Sequence, residues 1–468
     1  MLDYFFNPKG VAVIGASIDR TKGGYFLLRN AMVGYRGKIY PVNPKYNEIQ
    51  GVRSYPDIRS IPENFDLALY FIPARFLPDT IKECALKGVK AIIIESSGFS
   101  EVGEEGERLQ TESLSLARQY GIRLWGPNCM GYLDGHSMYA FSFMRIEGWV
   151  LLMKAGNVSF IVQSGMLSAG FLMMILERGG MGISKACSIG NKCDVNETEL
   201  LEYFINDERT EVIGCYLESI IDGRRFLELA RGSDKPIVVL KGGRSDVGTR
   251  AVMSHTASMS GSDSVYTGAF MQAGIVQVYD LYELMDVVRG FSKTRSYTPQ
   301  SGTAVMTFSG GAAIVTTDLL ADCCIPLAEL SRETLAELAK LFPPWAKPAN
   351  PLDLWPAVEA GDAHTVYTAS VKALFADPSV DSIIIEAFAF GFDGSDFFSI
   401  IRELMNKHGK PVAVWAIGLG PNLSAFRTAA EEAGLPVFSE IKRCAEFLAG
   451  VRRHYTKKEK LRALVTKD

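Results

Sequence analysis

Short apolar runs recur along the whole chain, each followed by a small-residue loop and an amphipathic stretch. That alternation dictates parallel sheets with crossover helices, because parallel neighbours must be joined by a long connection. The runs fall into three blocks. In the first, over residues 1–140, they are Val11–Gly15, Lys38–Val42, Asp66–Ile72, Ala91–Glu95 and Arg123–Trp125, with helical periodicity over Leu77–Lys87 and Glu104–Tyr120. This reads as a doubly wound sheet of Rossmann type. The second block, 150–292, carries Val158–Val162, Ile183–Ser188, Val212–Leu217, Pro236–Lys241 and Ile275–Val278. After the polar linker Thr294–Ser301, a third block over 300–468 carries Thr303–Thr307, Ser382–Glu386, Pro411–Trp415 and Pro436–Phe438. The second and third blocks open alike, with a strand, a turn of small residues and a helix. The basic run Arg452–Lys467 is expected to be a solvated terminal helix.

Composition narrows the class. The 468 residues are 47% hydrophobic and 22% charged with net charge −4, an ordinary globular balance without bulk attraction for nucleic acid or anionic membrane. None of the eight cysteines forms a CxxC pair, so neither a metal cluster nor a disulfide framework is expected. The start MLDYFFNPKG lacks the basic and apolar regions of a signal peptide, and no apolar run is long enough to cross a membrane, so a cytoplasmic location is expected.

Chemistry concentrates in the loops after strands, the edge where open α/β sheets bind ligands. Gly15-Ala16-Ser17 follows the first strand, where small residues let backbone N–H groups approach a phosphate. It is not a full GxGxxG, and the second strand ends in Asn43-Pro44-Lys45 rather than the acidic residue a dinucleotide reader places there. A lysine at that place suits a further phosphate, which favours coenzyme A over NAD. Ile72-Pro73-Ala74, Ser96-Ser97-Gly98 and Gly126-Pro127-Asn128-Cys129-Met130-Gly131 fall on the same edge. In the second block, His255 lies within Ser254–Asp263, a run of small polar residues that leaves an imidazole sterically open for phosphoryl transfer. An inert surface histidine is the plain alternative. Glu218 ends the strand Val212–Leu217 and can orient a histidine ring. Gln163-Ser164-Gly165-Met166 and Ser309-Gly310-Gly311 each head a helix, so each offers backbone donors to an anion.

Together these residues resemble the NDP-forming acyl-CoA synthetases, the superfamily of succinyl-CoA synthetase and the ADP-forming acetyl-CoA synthetases. The resemblance covers essentially the whole chain. It rests on SHTASMSGSD at Ser254–Asp263, GPNCMG at Gly126–Gly131, QSG at Gln163–Gly165, SIGNKCDV at Ser188–Val195 and NPLDL at Asn350–Leu354, in the family's order. It implies a Rossmann-like CoA-binding domain followed by two flavodoxin-like domains. Gly15, Ala16, Ser17 and Lys45 would hold CoA phosphates, Ile72, Pro73, Ala74, Ser96, Ser97 and Gly98 would flank the ligand, and Asn128 and Cys129 would lie near its thiol. His255 would carry the phosphoryl group with Glu218 beside it. Gln163, Ser164, Gly165 and Met166 would face Ser309, Gly310 and Gly311 across that group. Val162 and Met166 depart from the family's usual small residues.

No P-loop and no ATP-grasp domain is found in the sequence. The resemblance therefore implies a separate ATP-grasp β subunit that brings ADP or ATP with Mg²⁺, a hetero-oligomer, and a small carboxylic acid or its acyl-CoA as substrate. No metal site of the chain's own is expected. A CoA-binding regulatory protein without turnover is the main alternative. A nicotinamide dehydrogenase is disfavoured by the missing acidic residue and the two extra blocks.

Overall fold

Five buried strands form the first sheet: β1 (Gly10–Ile14), β2 (Lys38–Val42), β3 (Leu67–Tyr70), β4 (Ala91–Ile94) and β5 (Arg123–Trp125). In the computed structural model they lie parallel in the order β2-β1-β3-β4-β5. The model describes residues 2–145, 148–250, 262–389 and 395–465. Helices cover both faces of such a sheet, which is why β1, β3 and β4 are buried along their full length and read as unbroken apolar runs. Helix α1 (Gly23–Gly34) follows the Gly15 turn.

The hairpin β6 (Tyr132–Asp134) and β7 (Tyr139–Phe141) leaves the first sheet and joins the second. There β6 pairs antiparallel with β9 (Ile183–Ser188), beside β8 (Ala155–Val162), β10 (Val212–Leu217), β11 (Ile237–Lys241) and β12 (Val276–Val278). The order is β12-β11-β10-β8-β9-β6-β7. Periodicity reading overlooked this hairpin because its strands are three residues each. Its pairing ties residues 132–141 to the second sheet, and one apolar cluster runs from Val11, Leu67 and Trp125 to Ile161, Ile213 and Phe226. Helix α2 (Gly165–Arg178) follows β8, and α3 (Asp263–Ala273) precedes β12.

The chain divides into two compact units, Met1–Tyr279 and Asp280–Asp468. The second begins with α4 (Leu281–Lys293) and holds the parallel sheet β14-β13-β15-β16-β17. Its strands are β13 (Gly302–Thr307), β14 (Leu352–Asp353), β15 (Val380–Phe388), β16 (Val412–Ile417) and β17 (Val437–Phe438). Helix α5 (Gly310–Asp322) follows β13, and α6 (Ile441–Val465) closes the unit. Numbered within each block, the parallel strands of all three sheets share the order 2-1-3-4-5, so the repeat read between the second and third blocks extends to the first.

The terminal basic run needs correction. Helix α6 starts eleven residues before Arg452, and Arg452 is not solvated. Its guanidinium donates to Asp381 Oδ2 at 2.8 Å, Tyr297 Oη at 3.0 Å and Ser301 O at 2.7 Å, and His454 is buried with its ring edge-on to Phe291. A charge run describes an average, whereas one side of this helix faces a core that supplies a buried carboxylate partner. Among the described residues, no helix is long and apolar enough to cross a membrane.

Candidate active site

All five carboxyl-edge loops of the first sheet are stitched to one another. Gly15 has φ +90°, its N–H donates to Val42 O at 3.0 Å, and a Cβ there would sit 2.4 Å from Phe71 O, so only glycine fits. Asn43 spans the next gap: its Nδ2 donates to Ala16 O at 2.8 Å while its Oδ1 accepts from Lys45 N at 2.9 Å. Ala16 and Ser17 are buried, whereas the Lys45 side chain is left exposed at the edge. Ser96 Oγ donates to Ile72 O at 2.8 Å, and Ser96 O accepts from Asn128 N at 3.0 Å. Pro73 and Ser97 are exposed beside buried Ala74. The Gly98 N–H already donates to Glu101 Oε1 at 2.6 Å, which removes one donor from any ligand. Cys129 is buried, its thiol reaches Ile94 O at 3.4 Å, and burial pushes that thiol well above its ordinary range, so its sulfur faces the interior.

The Gly126–Gly131 loop also packs against the second sheet. Met130 N donates to Ser188 Oγ at 2.9 Å, and Asn191 N and Cys193 N donate to Pro127 O and Gly126 O, each at 2.9 Å. A Cβ on Gly190 would meet Pro127 O at 2.1 Å, and one on Gly165 would lie 3.7 Å from Asn128 O. Three of the sequence motifs thus converge on one spot within the first unit.

Glu218 is held by Gln163, one of the residues of the third motif. Gln163, on the turn between β8 and α2, accepts the N–H groups of Glu218 and Ser219 on its Oε1, at 2.8 and 3.1 Å. Its side-chain oxygen is therefore spent on the backbone of Glu218, and Gln163 is 3% exposed. Ser164 caps α2 by accepting Leu167 N on its Oγ, and Gly165 begins the helix. Glu218 is 6% exposed; its Oε1 accepts from Tyr216 Oη at 3.3 Å, and its Oε2 is buried without a hydrogen-bond partner among the described residues. A carboxylate oxygen buried in that way is poised for a donor that arrives from elsewhere.

Two lysines flank this carboxylate, and sequence reading did not single them out. Lys192 Nζ donates to Ser219 O at 2.8 Å and Ser219 Oγ at 3.1 Å and pairs with buried Glu197 at 2.9 Å. Lys241 Nζ donates to Glu218 O at 2.6 Å and to Gly242 O, and sits 4.8 Å from the Tyr266 ring centre. Both are almost fully buried, and burial lowers both ammonium groups from their ordinary range, Lys241 to about 8. The available signal was a lysine ending a strand otherwise apolar from Ile237 to Leu240.

The segment Ser254–Gly261, with His255, lies outside the described residues; Asp263 starts α3, and its charge acts on Lys241. Of the other histidines, His136 contacts Gly156 O at 2.8 Å, and His408 lies against Phe375. In the second unit, Gly310 and Gly311 are exposed at the start of α5, and Ser309 N donates to Thr307 Oγ1 at 3.2 Å. Asp353, from the Asn350–Leu354 motif, stands beside Gly310, with Oδ2 3.4 Å from where a Cβ would be.

Comparison with known proteins agrees with this geometry. Residues 9–134 match the model of a CoA binding domain, and residues 155–291 that of a succinyl-CoA ligase like flavodoxin domain. The α subunit of acetate–CoA ligase (ADP-forming) II from Pyrococcus furiosus is 38% identical over 419 residues, covering 88% of this chain and 89% of that one. The chain belongs to the ADP-forming acetate–CoA ligase family. The acetate–CoA ligase (ADP-forming) II of Archaeoglobus fulgidus is 37% identical over 452 residues, 96% of this chain but 66% of that longer protein. This family member thus spans just under two thirds of that relative. Among solved structures, the dinucleotide-forming acetyl-coenzyme A synthetase 1 of Candidatus Korarchaeum cryptofilum, in complex with phosphate and ADP, is similar with a TM-score of 0.88. It is 31% identical, with 99% of this chain and 98% of that one covered.

Proposed function

We propose that the chain is the CoA-binding, phosphoryl-carrying α subunit of an ADP-forming acyl-CoA synthetase, an acid–thiol ligase. With a separate ATP-grasp β subunit it interconverts acyl-CoA, ADP and phosphate with carboxylate, ATP and CoA. The observation that carries this reading is the buried Oε2 of Glu218, unpartnered among the described residues, on a strand end held by Gln163. The family's α subunits supply the rest.

Residues 1–140 take CoA, 150–292 carry out phosphoryl transfer, and 300–468 form a second flavodoxin-like domain. Gly15, Ala16, Ser17 and Lys45 hold the phosphates of CoA. Ile72, Pro73, Ala74, Ser96, Ser97, Gly98 and Asn128 line the way to its thiol, where Cys129, its sulfur turned to the interior, contributes backbone alone. Close backbone approach at Gly15 and an exposed lysine beyond the second strand fit a ligand with both pyrophosphate and a further phosphate. Inorganic phosphate displaces CoA from the acyl thioester, giving acyl phosphate. The imidazole of His255 takes the phosphoryl group from acyl phosphate and frees the carboxylate. Glu218 accepts a hydrogen bond from the other ring nitrogen and stabilises the charge that develops there. The backbone donors at Ser164, Gly165 and Met166, and those of Gly310 and Gly311 after Ser309, stabilise the transferring group. His255 then passes it to ADP, which the partner holds with Mg²⁺. The location is cytoplasmic.

The test is labelling. Given acyl-CoA and [³²P]phosphate, the purified chain should acquire acid-labile, base-stable label on His255. CoA binding without label on any residue would favour the regulatory alternative.

A further inference from the structure

The mechanism above leaves two buried lysines unused. Lys241 ends β11, directly beside the end of β10, in register with Leu217. Its ammonium donates to the carbonyl of Glu218 and to that of Gly242, and the Tyr266 ring covers it from α3. The first of these contacts lies on the strand end that bears Glu218. The ring belongs to the helix that begins where the His255 segment ends. Asp263, the first residue of that helix, also acts electrostatically on Lys241 and, among the described residues, has a buried oxygen without a hydrogen-bond partner. One cation therefore touches both the strand end that bears Glu218 and the helix that follows the His255 segment.

We infer that Lys241 is a positioning residue that ties the Glu218 backbone to the start of α3 and so holds the carboxylate in place for phosphoryl transfer. This rests on the phosphohistidine reading. Burying an ammonium is costly unless it is paired and hydrogen-bonded, and a lysine at such a place points to a positioning task rather than solvation. Gln163 clamps the N–H side of the same peptide, and Lys192 holds the next carbonyl, Ser219 O. Glu218 thus has little freedom except at its carboxylate.

The groups facing the Lys241 ammonium are Glu218 and Asp263, which favour its charge, and Lys192, which opposes it; burial is the largest influence and holds the ammonium at about 8. Tyr266 covers it from α3, and Tyr216 lies one step away through Glu218. The charged form is therefore present below about pH 8 and lost above it.

The experiment measures the single-turnover rate of His255 labelling from acyl-CoA and [³²P]phosphate, together with CoA affinity, in wild type, Lys241→Met and Lys241→Arg. In wild type the rate should fall as pH rises through about 8. Lys241→Met should label roughly 100-fold more slowly at pH 7, in line with the loss of a supporting residue around a catalytic group, with unchanged CoA affinity. Lys241→Arg keeps its charge at every accessible pH, so it should recover part of the rate and move the alkaline fall upward. Wild-type labelling in Lys241→Met would overturn the inference. If that variant does not fold, an unmoved alkaline fall in Lys241→Arg would overturn it instead. Absence of label on wild-type His255 would sink the phosphohistidine reading itself, an outcome distinct from either.

Discussion

The second and third sheets share one scaffold and fill it with opposite chemistry. In the second, β8 and β10 are in register at Val162 and Tyr216, so Gln163 follows one and Glu218 lies two residues past the other. In the third, β13 and β15 pair at Met306 and Ile385, which sets Thr307 opposite Glu386, Phe308 next, and Phe388 two residues past Glu386. The position of Gln163 is thus taken by Phe308, and that of Glu218 by Phe388. By the same count, Lys241 is in register with Leu217 and Ala416 with Ala387. Where the first unit has a polar clamp, the second stacks Phe308 and Phe388 with ring centres 4.1 Å apart and Trp415 5.8 Å from Phe308. The strand order and the helix start repeat, but among the described residues only the first unit places a buried carboxylate at this position; in the second, buried Glu386 lies two residues earlier, with Thr316 donating to its Oε1. Fold repetition therefore supplies backbone donors twice and a carboxylate at this position once.

The largest expected effect isolates that chemistry. His255→Asn should reduce acid-labile labelling to background and abolish the overall reaction while leaving CoA affinity, measured by calorimetry, unchanged. Label that persists in this variant or maps to another histidine would end the one-sided picture. Next comes a paired comparison at the equivalent positions. Glu218→Gln should slow labelling by about 10³–10⁴, the order lost when a ring-orienting carboxylate is removed. Phe388→Leu should slow it by less than about tenfold and mainly lower the melting temperature, since aromatic pairs contribute about 0.5–1.5 kcal/mol beyond area burial. Similar losses from the two changes would mean that both sheets contribute side-chain chemistry.

The opening turn of the first sheet gives a third, smaller effect. Gly15→Ala places a Cβ 2.4 Å from Phe71 O at φ +90°, so the turn must shift. CoA affinity should drop by about tenfold or more, with a stability loss of about 1–3 kcal/mol from the strained backbone. His255 labelling at saturating acyl-CoA should change far less. A variant with full CoA affinity would show that the Gly15 turn shapes the fold and does not hold the ligand.

Much of this was legible from the sequence because buried parallel strands leave a simple trace. Ile183–Ser188 and Val212–Leu217 have the bounds read from their apolar runs, and α2 ends at Arg178 as its pattern required. The hairpin 132–141 was not legible, since three-residue strands show no period and their pairing with β9 is a long-range event. At the site, Glu218 could be singled out because a carboxylate closing an apolar strand is conspicuous. Lys241 closes an apolar strand in the same way, but its role, like that of Lys192, is to satisfy carbonyls that only the folded backbone brings near. The same reason explains Gln163, which reads as a phosphate ligand in sequence but uses its side-chain oxygen on the N–H groups of residues 218 and 219. Likewise, Arg452 looks solvated until Asp381 is found beside it.

The smallest expected effect asks whether the third sheet contributes anything beyond its fold. Gly310 is the first residue of α5, exposed, without positive φ, and a Cβ there would meet only Asp353 Oδ2 at an ordinary 3.4 Å. Alanine suits a helix better than glycine by up to about 1 kcal/mol, and less in the first turn. Gly310→Ala should therefore melt at the same temperature or slightly higher. If the backbone donors of Gly310 and Gly311 after Ser309 take the phosphoryl group, the added methyl crowds their approach without removing any of them. The labelling rate should then fall only several-fold, well short of the roughly 10²–10³ that follows removal of a donor. Stopped-flow quench on the folded variant separates the two outcomes, because no loss of stability accompanies the change. A wild-type rate would remove Ser309–Gly311 from the site, and the likeness between the two openings would then be one of architecture alone.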